Sequence, residues 1–105
     1  MPAGVTVQVR LLSTGDASLI RVDNPYVQAA TRALHEVWGK DTVFIRSGGS
    51  VPIVGDFERH LGAPSVMMGF GLPDDNIHAP NEKFCLKNFA LGIESIIRFL
   101  EEAGK

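Results

Sequence analysis

The hydrophobic period of this chain changes from segment to segment, and that change restricts the available folds more than any single motif does. Val5, Val7, Val9 and Leu11 alternate with Thr6, Gln8 and Arg10, a period of two that predicts a strand with one wet face. From Pro25 to Trp38 the period lengthens: Val27, Ala30, Leu34 and Val37 recur at helical spacing. Asn24 is placed to cap that helix, Pro25 suits only a first turn, and Gly39 closes it. Residues 42–45 and 65–68 are short, nearly continuous apolar runs bounded by Gly and Pro, the pattern of strands buried on both faces. Between them Ile53, Val54, Phe57 and Leu61 predict a second helix, with Pro52 in its first turn and Gly62 at its end. After a long loop, Asn81 is the expected cap of a third helix whose stripe is Phe89, Ile93, Ile96, Ile97 and Leu100. Glu94 and Arg98 pair outside that stripe, and Gly104 ends the helix.

The resulting β-α-β-α-β-α order predicts an α/β fold, part of a sheet with flanking helices, containing one right-handed βαβ unit. The first strand is patterned for a different sheet from the next two, which sets a seam near Asp23. Two buried-type strands are fewer than the five or six usual for such a sheet, so the chain reads as a piece of something larger. Ten Lys and Arg against 12 Asp and Glu are interspersed to a net charge of −2, which gives no basic field for nucleic acid or anionic lipid. No apolar run reaches the ~20 residues of a membrane helix, and the first residues lack the basic and apolar parts of a signal peptide, so a cytoplasmic location is expected. Cys85 is the sole cysteine, which leaves stability to packing rather than to a disulfide or a Cys-rich zinc site.

Two loops carry candidate chemistry. Arg46-Ser47-Gly48-Gly49-Ser50 leaves one apolar run and enters a helix, so its backbone amides could cradle an anion and Ser50 could cap the helix or offer a hydroxyl. A plain tight turn explains the same residues, and no phosphate-loop or dinucleotide pattern is present. The second loop, residues 71–81, holds His78 near Asp74 and Asp75, the residue types that ligate or orient a divalent metal. Its acidic residues are equally ordinary turn formers, and one imidazole cannot make a tight site. His35 and His60 read as solvated helix positions, Cys85 as structural, Met67 and Met68 as core strand, and the remaining helix carboxylates as solvated faces.

Taken together, residues 44–53, with Gly48-Gly49-Ser50-Val51-Pro52, and residues 68–84, with His78-Ala79-Pro80-Asn81-Glu82-Lys83, closely resemble the C-terminal part of the dinuclear zinc aminopeptidase and carboxypeptidase family. That family includes carnosinase-like dipeptidases, aminoacylase and carboxypeptidase G, and the resemblance is closest to the dipeptidase branch. The 27 residues between Ser50 and His78 match the branch's spacing. The resemblance implies that His78 ligates zinc, that Gly48, Gly49 and Ser50 contact substrate, and that Asp75 lies behind the ligand. It further implies that residues 1–22 are the closing strand and connector of an inserted lid or dimerisation domain, and residues 23–105 the C-terminal part of the catalytic domain. Two zinc ions per site and a dipeptide or N-acyl amino acid substrate belong to the complete family enzyme. Its other ligands and its general-base Glu fall in an N-terminal half with no counterpart here, so no catalytic residue is assigned to this chain. Ser47 stands where dipeptidases usually have Glu, and Ser13 where many have His.

The expected function is therefore that of a C-terminal portion of a zinc metallopeptidase, inactive alone, associating with itself or with the missing N-terminal half. The alternative is a non-catalytic α/β binding or docking module derived from the same family.

Overall fold

A computed structural model describes residues 2–12, 14–47 and 51–105. Three helices form among them: α1, Pro25–Trp38; α2, Ile53–Leu61; and α3, Leu86–Ala103. The capping chemistry of α1 is as its sequence dictates. The Asn24 side chain accepts from the Tyr26 N–H at 2.9 Å, Pro25 opens the first turn, and Gly39 ends the helix at φ 63°, a left-handed conformation that glycine adopts without strain. Gly62 ends α2 in the same way, whereas Pro52, expected in the first turn, stands before the first residue; Ser50, the other expected cap, lies outside the described residues. The third helix starts later than expected. Cys85, not Asn81, precedes its first residue, and Asn81 lies within the loop at φ 60°.

The predicted α/β sheet is not there: no strand forms among the described residues. Residues 5–12, 42–47 and 65–71 are not helical, yet no backbone hydrogen bond joins any two of them. A strand exists only when a neighbour pairs with its N–H and C=O groups at about 4.8 Å, and alternation of side chains states a preference for burial without supplying that neighbour. Of the two runs expected to be buried on both faces, Val43, Phe44 and Ile45 are exposed, Ile45 at 82%, while Ser65, Val66 and Met68 are half-buried; Val9, in the segment expected to have one wet face, is 90% exposed. Met67, expected in a core strand, is exposed as well.

Packing is concentrated between α1 and α3, the one helix pair in contact among the described residues. Small side chains make it possible. Ala29, Ala30 and Ala33 of α1 are buried, as are Gly92 and Ser95 of α3. The α3 face turned inward thus runs through Gly92 and Ser95, while the expected stripe of Phe89, Ile93, Ile96, Ile97 and Leu100 remains about half exposed. Arg98 pairs with Glu101 at 3.0 Å and Glu36 at 3.6 Å rather than with Glu94. The second helix is held instead by the connector: Arg59 donates to Asp16 at 2.5 Å, and Gly15 lies so close to Pro52 that a Cβ there would stand 2.7 Å from the ring.

A charge tie closes the far end of the α1–α3 pair. The Lys105 ammonium and the Arg32 Nε, the latter at 2.7 Å, both donate to Glu102 and hold its carboxyl below the ordinary 4.5. A carboxylate whose folded value is depressed contributes stability above its unfolded value and loses that contribution as pH falls through the folded one. The α1–α3 packing should therefore be constant above about pH 5 and weaken below about pH 4. Amide exchange of α1 followed down to acid pH measures this, and Arg32→Gln should flatten the change. An unaltered acid profile in that variant would refute the tie.

Candidate functional site

The loop between Phe70 and Cys85 is built around one buried carboxylate. Asp75 is 1% exposed; its Oδ2 accepts from the Leu72 N–H at 2.6 Å while its own N–H donates to the Leu72 carbonyl at 3.1 Å. This reciprocal pair ties Asp75 back to Leu72 through both its side chain and its backbone. The Asp75 carbonyl then accepts from the Lys83 N–H at 3.0 Å, which brings the two sides of the loop together. On the outside, the Lys83 ammonium donates to Asp74 at 2.6 Å, lowering the Asp74 carboxyl and raising the lysine.

His78 sits at the apex of the loop so closed. The Ala79 N–H donates to the Asn76 carbonyl at 2.9 Å, making a four-residue turn with His78 in its third place at φ 62°. Asn76, His78 and Asn81 are the non-glycine residues with positive φ among the described residues, and all three lie in this loop. Such a conformation costs a non-glycine residue on the order of 1 kcal/mol or more, so the bonds made by Asp75 must impose it. The His78 side chain is exposed.

Asp75 Oδ1 is buried and has no hydrogen-bond partner among the described residues. An exposed imidazole and an unsatisfied carboxylate oxygen on one loop are donor types that zinc accepts. No group of three His, Cys, Asp or Glu side chains assembles around a common point among the described residues. The donors therefore fit part of a coordination set and not a complete one.

Gly48, Gly49 and Ser50 lie outside the described residues, so only their flanks are visible. Beyond them, Val51 accepts from the Val54 N–H at 3.0 Å and opens α2. His35 is exposed and faces Asp41 at 3.2 Å; His60 is exposed near the end of α2. Neither joins the His78 loop by any hydrogen bond or ion pair among the described residues.

Sequence patterns did not point to the base of the loop. The Asn88 amide donates to the Phe70 carbonyl at 2.9 Å, and the Phe70 ring stacks with Trp38 at 6.3 Å between centroids and 11° between planes. The Trp38 indole N–H donates to Ser95 Oγ at 2.9 Å, which itself donates to the Leu91 carbonyl at 2.7 Å. One local signal existed: Gly92 costs about 1 kcal/mol in a helix interior, which asks for a packing reason. The Phe70 ring supplies it, since a Cβ on Gly92 would stand 3.2 Å from that ring.

The pattern of peptidase family M20/M25/M40 matches residues 4–102. The chain is 33% identical over 98 residues to the Cys-Gly metallodipeptidase of Candida albicans, covering 93% of this chain and 20% of that protein. It is 30% identical over 84 residues to the Beta-Ala-His dipeptidase of Homo sapiens, covering 80% and 17% respectively. A solved structure of the di-peptidase Dug1p from Saccharomyces cerevisiae superposes with a TM-score of 0.80 at 32% identity, over 84% of this chain and 18% of that one. The chain thus spans about a fifth of the length of the curated relatives it matches.

Proposed function

The chain belongs to peptidase family M20/M25/M40, and from that membership we propose that it is the C-terminal portion of a zinc-dependent dipeptidase or amidohydrolase of the cytoplasm. In it, His78 ligates one metal and Gly48-Gly49-Ser50 binds the substrate. Residues 1–22 supply the closing segment and connector of a lid or dimerisation domain, and residues 23–105 the end of the catalytic domain.

Support comes chiefly from the His78 loop. Its backbone is forced into a left-handed turn that exposes the imidazole, and a buried Asp75 with one unsatisfied oxygen lies three positions earlier in the same loop. Strain held by surrounding bonds is a mark of functional positions. Zinc, when bound, polarises an amide carbonyl and lowers the pKa of water. His78 contributes to this a neutral ring nitrogen, and Asp75 keeps the ring's backbone in place. The amides of the Gly-Gly-Ser turn would hold the substrate's carboxylate, a task for which glycine allows close backbone approach. The base that takes the proton from water would come from outside this chain. Ser47 in place of the usual Glu removes one charged contact to the substrate.

The purified chain should hydrolyse neither Cys-Gly nor β-Ala-His with zinc or manganese added. Grafted into Dug1p in place of the segment it superposes on, it should restore a metal-dependent dipeptidase. Metal-dependent turnover by the isolated chain, or a folded, metal-loaded graft that cleaves no dipeptide, would overturn the proposal. The silent graft is the expected result of a second reading, a non-catalytic docking module of the same family.

A further inference from the structure

Both ends of the His78 loop are fastened to the same short stretch of α3. Its entry is held where Asn88, in the first turn of the helix, donates to the Phe70 carbonyl at 2.9 Å. Its exit runs through Lys83, whose N–H is bonded to Asp75, into Cys85, whose carbonyl accepts from the Phe89 N–H at 2.9 Å to start α3. Compact loops whose ends meet in this way move as units, so their placement is decided at the stem. Phe70, the first residue of that stem, is clamped from two sides. Trp38 stacks on it from the end of α1, and Gly92 admits its ring against α3. Gly71 continues the clamp, with the place of a Cβ 3.5 Å from Asp75 Oδ2 and 3.6 Å from Ile77 Cδ1. Ser95 fixes the indole by accepting its N–H at 2.9 Å.

We infer that Asn88, Gly92 and Trp38 are positioning residues for His78, setting where its loop stands relative to the α1–α3 pair. None of them ligates metal. A single ring nitrogen binds a metal loosely wherever it stands; a shared coordination set requires it at one place to a fraction of an ångström. The inference rests on the proposal that His78 is a ligand, and its test separates the two.

Trp38 is the sole tryptophan, so its emission reports on a metal bound at His78 through distance-dependent quenching. The probe is copper(II) alone, added to the full chain carrying His35→Ala and His60→Ala, with binding at His78 followed by the ring proton resonances. Bound copper should quench the dock-intact chain by one fixed fraction with a single lifetime. Asn88→Ala removes only one side-chain hydrogen bond, and Gly92→Ala pushes the Phe70 ring. Both should bind copper at His78 with unchanged affinity, spread the quenching over several lifetimes, and exchange the Leu72 and Lys83 amides about tenfold faster. Asn88→Gln, which keeps the amide donor, should restore most of the single lifetime. Identical quenching and exchange in Asn88→Ala, with helicity retained, would overturn the inference whatever Gly92→Ala does. If copper shifts no His78 resonance in the parent chain, the ligand proposal fails. The exchange of Leu72 and Lys83 then decides the dock by itself, faster exchange upholding it and unchanged exchange refuting it.

Discussion

Placed in the dipeptidase graft, His78→Ala is expected to lose one metal ion per chain and at least about a hundredfold in turnover, beyond the 10- to 100-fold typical of residues that only support a ligand. The ring is exposed at the apex of a turn whose backbone accepts a left-handed residue at a cost, and no hydrogen bond or ion pair engages its side chain among the described residues. Removing it should leave the fold intact, and glycine there would relieve backbone strain while still deleting the ligand. His78→Gly should therefore be as inactive as His78→Ala and no less stable. His35→Ala and His60→Ala give the contrast: both rings are exposed on helices away from this loop, and one only faces Asp41. Elemental analysis of metal beside turnover in the four variants is the measurement. Full metal content and normal rates in His78→Ala would remove the ligand assignment and the hydrolytic mechanism with it.

What could be read from the residues alone divides by range of interaction. Both ends of α1 and the C-terminal end of α2 were legible because Asn24, Pro25, Gly39 and Gly62 act on the backbone beside them. The start of α3 was not. Asn81 is as good a cap by type as Asn24, but the Lys83–Asp75 bond keeps residues 81–85 in the loop. Alternation in residues 5–12 predicts a strand, although pattern specifies a face and pairing needs a partner that no other described segment provides. The stripe on α3 misled for a related reason. Large apolar residues marked one face, but α1 approaches through alanines, and the face it meets carries Gly92 and Ser95, where close approach is possible. His78 and Asp75 stand out by residue type in a loop that follows an apolar run, and again by the resemblance of that loop, whereas Asn88 and Trp38, linked to Phe70 across 18 and 32 positions, had no sequence signal to give.

The same arrangement predicts that the isolated chain associates with itself. A domain of about 100 residues packed around one core has a radius of gyration of about 13 Å. This one measures 18.3 Å, with extents of 63 × 36 × 18 Å, and its buried hydrophobic residues among those described are Val27, Ala29, Ala30, Ala33 and Val54. Four of the five belong to α1, and three are alanines that bury little area each. Against them stand Ile93, Ile96, Ile97 and Leu100 on α3, Phe57 and Leu61 on α2, and Val43 and Ile45 between the helices, all substantially exposed. Exposed apolar area of that extent is removed from water at roughly 25 cal/mol per Å², a drive that the charge of −2 is too small to oppose. Light scattering at micromolar concentration should give at least twice the mass of one chain, with binding of a hydrophobic dye that falls as the concentration rises and the faces cover one another. Ile93→Lys with Ile97→Lys, on the α3 stripe away from α1, should shift the distribution toward monomer and leave the Trp38 emission unchanged. A monomer at all concentrations that binds no dye would mean that these side chains find cover within one chain.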